Sequence, residues 1–317
     1  MSTNASNNPT LLDLKAQLDP NGSIAQLIEL LNETNEVLDD MTYLPSNELT
    51  GHVTSVRTGL PTPTWRKLYG GVQPSKSTVV KIRESMGALE AYAEVDAELA
   101  ELNGNSAGFR LNEDRAHIEG MNQEVASSIF YATEATAPEE FTGLAPRYNS
   151  LSAANKANIL DATISGDEST AVKSSIWLIG WSPTTCHGIY PKNTSGGLHM
   201  EDKGRVTIEN ADGSNGRMEA FRSHYKWRVG LALRDWRYVV RIANIESSKL
   251  KADISAGADL VTLMTDALEH IYSLRGVRPV FYMNKTIRSM LRKQIVTKAK
   301  YMIAPSDVAG KQVMLFD

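Results

Sequence analysis

The sequence predicts an α+β fold in which helices and mostly antiparallel strands occupy separate parts of the chain. Apolar residues recur at helical spacing in residues 112–131 and 258–271, whereas residues 225–242 alternate between apolar and polar types as a half-buried strand does. The turn sequence from Asp212 to Gly216 joins two strand-like runs as a hairpin. No regular alternation of strand and helix is present, which disfavours a parallel α/β sheet.

The composition excludes several classes of protein. The chain has 317 residues, of which 42% are hydrophobic and 22% charged, so it is an ordinary globular sequence with enough length for about two domain cores. No apolar run approaches the roughly 18 residues that cross a bilayer, and the first ten residues lack a basic region followed by an apolar one. We therefore expect an unexported protein that makes no membrane contact. Its one cysteine, Cys186, allows no internal disulfide.

The first segment, residues 1–45, is predicted to be a helical arm. A short apolar stripe from Leu11 to Leu18 stops at Pro20, and a second helix follows, in which Ser23 and Gln26 form a capping box. The apolar face of this second helix is long for a segment near a chain terminus. Such an arm either folds back on its own core or lies on a neighbouring molecule, and both alternatives remain open.

A long hairpin is predicted next. Residues 51–58 and 78–86 are rich in Val, Thr and Ile and have strand character, and they are separated by a loop of nearly twenty residues with three prolines. An isolated hairpin is marginally stable in water, so a projecting one needs a partner surface. Trp, Tyr and Arg are enriched at protein interfaces. The candidate inter-subunit contacts are Arg57, Trp65, Arg66, Lys67 and Tyr69. The alternative is that the loop folds onto its own domain, with Trp65 in the core.

The middle of the chain is predicted to contain two helices and an irregular connection. A mainly helical stretch covers residues 89–102, and a longer helix covers 112–131, with Asn112 as its N-cap and acidic residues in its first turn. Residues 133–149 contain two prolines and no period, so they predict a connecting segment.

The second half is predicted to be rich in strands. Residues 174–181 and 279–284 have strand character, and residues 186–197 run from strand into loop. The alternation along residues 225–242 slips by one position near Asp235, which predicts a bulge or turn there. Residues 286–300 predict a basic helix.

No catalytic or metal-binding motif is present in the sequence. It lacks a phosphate-binding loop, a dinucleotide-binding glycine motif and a zinc helix with paired histidines. Cys186 and His187 are the one conceivable nucleophile and base, but neighbouring residues on a strand point to opposite faces. We therefore expect no enzymatic activity, no cofactor and no metal, and keep a soluble enzyme that uses the region around Cys186 and His187 as an alternative.

The charges are distributed unevenly along the chain. The net charge is −4, yet residues 217–300 contain 17 Lys and Arg against 7 Asp and Glu, so the remainder of the chain is strongly acidic. Three explanations remain open: solvated outer faces, contact between acidic and basic parts of different copies, or a nucleic-acid groove. A sequence pI near 5.9 argues against tight, duplex-specific binding.

Four ordered strings resemble the major capsid proteins of tailed bacteriophages with the Hong Kong 97-type fold. They are EFTGLAPRY at 140–148, WSPTTCHGIYPK at 181–192, KWRVGLALRDWRYVVRIANI at 226–245 and FYMNKT at 281–286. The resemblance implies an N-terminal arm, an extended hairpin loop, a long spine helix, a peripheral domain and an axial domain. The implied ranges are 1–45 for the arm, 46–90 for the hairpin loop, 91–150 for the peripheral domain with the spine helix, 151–250 for a shared sheet region, and 251–317 for the axial domain and C-terminal return.

The resemblance also implies a function, which is self-assembly. Copies would form hexamers and pentamers of an icosahedral head around non-specifically held double-stranded DNA. The chain would be made in the host bacterial cytoplasm and reside in the virion, with portal, scaffolding and decoration proteins as further candidate partners. Two alternatives stay open: a nanocompartment shell of the same fold around an enzyme cargo, and a minor virion or scaffolding-type protein.

Overall fold

The computed structural model of the chain describes residues 9, 35–102, 106–164, 173–209, 216–252, 257–302, 306–308 and 311–313. The chain forms two compact units, one of residues 1–146 and 188–232 and the other of residues 147–187 and 233–317. The five ranges expected from the resemblance stay a prediction. None of the described helices is long and apolar enough to span a membrane.

The described elements confirm the α+β class. The helices are α1 (Glu36–Asp40), α2 (Ala97–Glu101), α3 (Ser106–Tyr131), α4 (Ser247–Ala252), α5 (Leu260–His270) and α6 (Lys285–Met302). The strands are β1 (Tyr43–Pro45), β2 (Gly51–Gly59), β3 (Thr78–Ser85), β4 (Gly87–Asp96), β5 (Ile159–Asp161), β6 (Lys173–Trp181), β7 (Cys186–Tyr190), β8 (Leu198–Glu209), β9 (Arg217–Leu233), β10 (Val239–Glu246), β11 (Arg278–Tyr282), β12 (Ser306–Val308) and β13 (Lys311–Val313).

The first unit is built on an antiparallel sheet in which β9 lies between β4 and β8. The register of β8 and β9 ends with Glu209 opposite Arg217, which confirms the two strands of the predicted hairpin, while its turn residues 210–215 lie outside the described residues. Helix α3 packs on one face of this sheet, where Ala93, Met121 and Tyr225 form a buried cluster. The predicted helical stripe from Leu11 to Leu18 and the capping box of Ser23 and Gln26 lie outside the described residues, and α1 covers only the end of the second predicted helix.

The predicted helix over residues 89–102 is wrong, because residues 87–96 form strand β4 and only α2 is helical. Each residue of β4 pairs with β9, from Gly87 opposite Val229 to Asp96 opposite Ala220. The side chains of Ala93 and Val95 are buried, whereas that of Tyr92, the residue before Ala93 in the strand, is half exposed. This alternation is a strand pattern, and pairing with β9 overrides the helical propensity of the alanine, leucine and glutamate residues.

The predicted start of the long helix is also wrong. Helix α3 begins at Ser106, so Asn112 lies in its second turn and does not cap it. Asp114 is buried in the body of the helix, and the first turn contains no acidic residue that could interact with the positive end of the helix dipole. The sequence signal failed because Phe109, three residues before Asn112, is fully buried against Val95 and Ala100, and this packing holds the earlier turn helical.

The C-terminal end of α3 is closed by the segment that follows it. The backbone N–H groups of Gly143, Leu144 and Ala145 donate to the carbonyl oxygens of Ala132, Ile129 and Phe130 at 2.9, 3.0 and 2.7 Å. The last carbonyl groups of a helix have no partner within the helix, so these bonds satisfy groups that would otherwise be buried without one. The irregular connection predicted over residues 133–149 therefore also terminates the helix.

The second unit contains a sheet in which β10 pairs with β5 in parallel and with β6 antiparallel, and β11 pairs with the other edge of β6. Helices α5 and α6 pack onto it, around a core that includes Ile176, Leu178, Ile242, Leu260 and Ile287. The predicted turn near Asp235 is confirmed. Strand β9 ends at Leu233, and a single 3-10 turn, Trp236–Tyr238, precedes β10.

Candidate subunit interface

Strands β2 and β3 form the predicted hairpin, a separate two-stranded ribbon that is antiparallel from Gly51 opposite Ser85 to Gly59 opposite Thr78. Residues 78–83 of β3 are all exposed, so neither face of this strand is covered by the rest of the described chain. The exposed fractions of Val79, Val80 and Ile82 are 55%, 51% and 40%. A ribbon with so little burial of its own is marginally stable in water.

The base of the hairpin is held by side chains. The amide of Asn47 accepts from the N–H of Val53 at 2.8 Å and donates to the carbonyl oxygen of the same residue at 2.7 Å. The guanidinium of Arg83 contacts the Glu48 carboxylate at 3.1 Å and the Thr50 hydroxyl at 2.8 Å. These contacts join residues 47–50 to both strands at the base of the hairpin.

The tip of the hairpin is an ordered turn. The N–H of Gly70 donates to the carbonyl oxygen of Lys67 at 3.0 Å, and Nε of Arg66 donates to the carbonyl oxygen of Gly70 at 3.0 Å. Between them Tyr69 has a φ of 63°, a left-handed conformation that is uncommon for an aromatic residue. Strained backbone of this kind clusters at functional sites.

This turn presents three large apolar side chains to solvent. Trp65, Leu68 and Tyr69 have exposed fractions of 99%, 91% and 102%. The alternative in which Trp65 lies in the core of its own domain is therefore wrong. The structure brings all five sequence-predicted contact residues onto the hairpin, since Arg57 is an exposed residue of β2 and Arg66 and Lys67 are also exposed. Their contact with a neighbouring subunit stays a prediction.

Sequence reasoning missed part of this surface. Leu68, Val79, Val80 and Ile82 are also exposed apolar residues of the hairpin, and they were not among the predicted contacts. The signal was present in the run TVVKI, where two adjacent valines break the alternation expected for a strand with one buried face. A strand that is apolar on both sides and has no second layer of its own predicts an unpartnered surface.

A ladder of charged and aromatic side chains covers the exposed face of β4 and β9. Glu90, Tyr92 and Glu94 lie directly opposite Lys226, His224 and Arg222. The Arg222 guanidinium contacts the Glu94 carboxylate at 2.6 Å, and Nε2 of His224 lies 3.1 Å from the Glu90 carboxylate. The hydrogen bond from Lys226, followed by that from His224, holds the pKa of Glu90 below its ordinary value. Arg222 and Lys226 belong to the basic stretch of residues 217–300, and their charges are thus neutralised by carboxylates within the first unit.

Helix α6 has a different electrostatic character. Its 18 residues include no Asp or Glu. Its exposed Lys285, Arg288, Arg292 and Lys293 form no ion pair with any carboxylate of the described residues. Part of the basic excess between residues 217 and 300 is therefore presented to solvent by this helix.

Cys186 and His187 do not form an accessible catalytic pair. Both side chains are fully buried, and they are neighbours on β7, where successive side chains point to opposite faces. Within the part of the chain that the structure describes, no group of three or more His, Cys, Asp or Glu side chains is arranged to hold a metal ion. The Asp212–Gly216 segment, whose composition is partly that of a calcium loop, lies largely outside the described residues.

Comparison with known proteins assigns the family. The family model described as "Major capsid protein GP7" matches residues 19–317. The chain belongs to the major capsid protein GP7 family. A solved structure of bacteriophage Epsilon15 is similar to this family member over 100% of the present chain and 94% of the other, with 34% sequence identity and a TM-score of 0.78. No match was found among curated proteins.

Two further solved structures are similar at a much lower level. The SrpI encapsulin of Synechococcus elongatus PCC 7942 has 10% identity and a TM-score of 0.43, covering 70% of this chain and 93% of its own. A structure from Microbacterium phage Oxtober96 has 11% identity and a TM-score of 0.44, covering 74% of this chain and 98% of its own.

The family assignment confirms the resemblance stated from the sequence. This GP7-family chain has the Hong Kong 97-type capsid fold, and it is a major capsid protein of a phage head. It is a structural protein of the virion, where copies of the chain assemble into the capsid lattice.

Proposed function

We propose that this chain assembles into hexamers and pentamers of an icosahedral head that encloses double-stranded DNA, and that it has no enzymatic activity. Each copy is made in the cytoplasm of the host bacterium and joins the head, where portal, scaffolding and decoration proteins are further partners. The rigid parts are α3 and the sheets, while the hairpin reaches a neighbouring copy through Arg57, Trp65, Arg66, Lys67 and Tyr69.

The single observation that carries this proposal is the exposure of the hairpin tip. The side chains of Trp65 and Tyr69 have exposed fractions of 99% and 102%, so they bury nothing in the isolated chain. An aromatic side chain removes about 150–250 Å² from solvent when buried, and a specific interface takes about 800 Å² from each partner. Together with Leu68 and the apolar face of β3, the tip supplies a substantial share of one subunit contact.

The charge of helix α6 supports non-specific contact with DNA. Four exposed cations without an ion-pair partner among the described residues suit the regularly spaced phosphates of a duplex, which attract cations independently of base sequence. The sequence pI near 5.9 fits weak contact of this kind better than tight, duplex-specific binding. Weak contacts repeated over many copies hold the nucleic acid without a dedicated site.

Electron microscopy of the purified chain tests the assembly. We expect closed shells of uniform diameter with hexameric and pentameric units, and a chain that stays monomeric at high concentration would contradict the proposal. In purified virions, we expect this chain to dominate the protein mass and to surround nuclease-protected DNA. A folded enzyme cargo in place of DNA would instead support the nanocompartment, and a low copy number would support a minor virion protein.

A further inference from the structure

The loop between α5 and β11 in the second unit presents apolar and basic side chains to solvent. Tyr272 and Leu274 have exposed fractions of 71% and 52%, and Arg275 is also exposed. Arg237, on the turn before β10, places its guanidinium 4.4 Å from the centre of the Tyr272 ring. These four residues are called the Tyr272 patch. Tyrosine and arginine are among the residues that dominate binding energy at protein interfaces, so the patch has the composition of a contact surface.

The Tyr272 patch is held in place within its own chain. Nε and Nη2 of Arg237 donate to the two carboxylate oxygens of Asp235 at 2.9 and 2.7 Å, which fixes the guanidinium beside the ring. Gly276 has a φ of 72°, the left-handed conformation that glycine adopts most readily. The next residue, Val277, packs on β6, where a Cβ atom added at Gly180 would lie 2.6 Å from its side chain. A surface ordered in this way loses little conformational freedom when it docks.

The charge around the patch selects an acidic partner. Residues 270–306 contain eight Lys and Arg and no Asp or Glu. Arg275 forms no ion pair with any carboxylate of the described residues, so its charge is available to a partner. Like charges placed together across an interface cost free energy, which disfavours docking of the patch on the same patch of another copy. The partner surface is therefore acidic and different from the patch.

The first unit contains a surface of this kind at the end of α3. Residues 116–146 contain five Glu and no Lys or Arg. Within them, residues 133–140 form an ordered turn, here called the acidic turn, in which the N–H groups of Thr136 and Ala137 each donate to the carbonyl oxygen of Thr133 at 3.1 Å. Glu139 is exposed on this turn and forms no ion pair with any described residue. Tyr131, just before the turn, has an exposed fraction of 63%.

We propose that the Tyr272 patch docks on the acidic turn of a second copy of the chain, with the Arg275 guanidinium paired with the Glu139 carboxylate. The inference rests on the proposed function, and it names a contact separate from that of the hairpin. A guanidinium and a carboxylate form two parallel hydrogen bonds, which gives the contact a defined geometry as well as energy. Tyr272 on one side and Tyr131 on the other supply apolar area around the ion pair.

The proposed contact is head to tail. The Tyr272 patch belongs to the second unit and the acidic turn to the first, so each copy offers its patch to one neighbour and its acidic turn to another. Contacts between two different surfaces generate closed rings when the rotation between neighbours allows closure. Hexamers and pentamers are rings of this kind. Charge complementarity gives an interface specificity more than affinity, so this contact sets the orientation of neighbours within one ring.

Cross-linking tests the juxtaposition directly. Chains with Ala135→Cys, Leu274→Cys or both substitutions are assembled and treated with a short bis-maleimide, in which each thiol adds across one maleimide double bond. We expect particles of the double variant to give a covalent ladder that extends to five and six chains, because each copy is linked to two neighbours. The two single variants and the wild-type chain, whose one cysteine is buried, supply the background. Cross-linking no stronger than that background, or a ladder that stops at dimers with excess reagent, would overturn the proposal.

Charge exchange tests the same contact without a reagent. We expect Arg275→Glu and Glu139→Arg each to lower the yield of particles about tenfold, the effect of roughly 1.4 kcal/mol, and the double variant to recover most of that yield. Recovery isolates the pairwise contact, because two unrelated defects would add. Lys156→Glu, at an exposed cation of the same unit, is the matched control and is expected to retain near-normal yield. A double variant as defective as the sum of its parents would contradict the pairing of Arg275 with Glu139.

The same variants separate this contact from the proposed function. The melting temperatures of the Arg275→Glu and Glu139→Arg subunits are expected to equal that of the wild-type chain, because neither side chain forms an ion pair within the described residues. Normal particle yield with less packaged DNA in Arg275→Glu would show that the patch faces nucleic acid, and would overturn the contact while leaving the proposed function standing. A wild-type chain that forms no shells at all would instead contradict the proposed function.

Discussion

The imidazole ring of His224 stacks on the phenol ring of Tyr92, with the ring centroids 4.4 Å apart and the planes 7° from parallel. The two residues are direct cross-strand neighbours on β9 and β4. The Arg222 guanidinium lies 5.6 Å from the centre of the same Tyr92 ring. Cross-strand pairs of this kind stabilise a sheet by about 0.2–1 kcal/mol each and disfavour a shifted register. The ladder therefore helps to fix β4 against β9.

The ladder predicts an acid-dependent loss of stability. The pKa of Glu90 is lower in the folded chain than its ordinary value of 4.5, mainly through the hydrogen bond from Lys226. The resulting stabilisation is present above pH 4.5 and is lost as the pH falls through the folded-state pKa. We expect Glu90→Gln to flatten the dependence of the free energy of unfolding on pH in this acidic range. Lys226→Met is expected to return the pKa of Glu90, measured by NMR, toward 4.5.

The hairpin tip predicts a defect in assembly without a defect in folding. Trp65→Ala with Tyr69→Ala removes two rings that contact almost nothing in the free chain, so the melting temperature of the subunit is expected to change little. The yield of closed shells is expected to fall steeply, since aromatic residues dominate interface energies. Leu102→Ala, at a residue with an exposed fraction of 68%, is the control for loss of an exposed apolar side chain elsewhere. Normal closed shells from the double variant would contradict the proposed role of the hairpin tip in assembly.

Two glycines predict opposite effects of the same substitution. A Cβ atom at Gly143 would lie 2.5 Å from the carbonyl oxygen of Ser128 and 2.8 Å from that of Ile129, in the closure at the end of α3. We expect Gly143→Ala to lower the free energy of unfolding by about 1–3 kcal/mol, because backbone atoms have to shift. Gly120→Ala, in open space on the same helix, is expected to raise it by about 1 kcal/mol through helix propensity. Equal melting temperatures for the two variants would contradict the close packing at Gly143.

The basic face of α6 predicts a salt-dependent contact with nucleic acid. Arg288→Glu with Arg292→Glu is expected to weaken binding of the subunit to duplex DNA at low salt, and to reduce the slope of affinity against salt concentration by about one for each cation that contacts a phosphate. Fluorescence anisotropy with two unrelated duplexes measures both quantities. Arg222→Glu is unsuitable as a control because it breaks an ion pair with Glu94, so Arg57→Glu with Lys81→Glu, both at exposed positions of the hairpin, is the matched double charge reversal. An unchanged slope would show that α6 faces something other than DNA.

A buried hydrogen bond in the second unit predicts a stability change away from any proposed interface. The hydroxyl of Tyr148, a fully buried residue, donates to the carbonyl oxygen of Trp236 at 2.7 Å. Tyr148→Phe removes the donor and is expected to lower the free energy of unfolding by about 1 kcal/mol. The carbonyl oxygen keeps the weaker bond from the Asn158 amide at 3.3 Å, which limits the loss. Chemical denaturation of the subunit measures the difference, and no change would mean that solvent replaces the bond.

The sequence predicted those elements whose pattern is local. The turn near Asp235 was predicted because the alternation of apolar and polar residues shifts there by one position, and the structure has this turn. The pairing of β8 with β9 was predicted from the turn residues between them, and the structure has this pairing as well. Strand β4 was missed because Ala88, Leu89, Glu90 and Ala91 favour a helix locally. Its strand character comes from pairing with β9 more than a hundred residues later in the chain, which local propensity does not report.

Only part of the candidate interface could be predicted from the sequence. Aromatic and basic residues in a long proline-containing loop indicated the projecting tip, because their type alone marks an interface. The apolar side chains of Leu68, Val79, Val80 and Ile82 were missed, since their exposure depends on β3 having no second layer over it in the described chain.

The left-handed backbone at Tyr69 has a consequence for the speed of assembly. The turn that holds it is closed by two hydrogen bonds within residues 66–70 of the free chain, so its shape exists before any encounter. Association that needs no rearrangement proceeds at rates set by collision and orientation, about 10⁵–10⁷ M⁻¹s⁻¹ for typical proteins. We therefore expect the slow step in building a shell to be the gathering of enough subunits for a first closed ring, seen as a lag that shortens steeply as the subunit concentration rises.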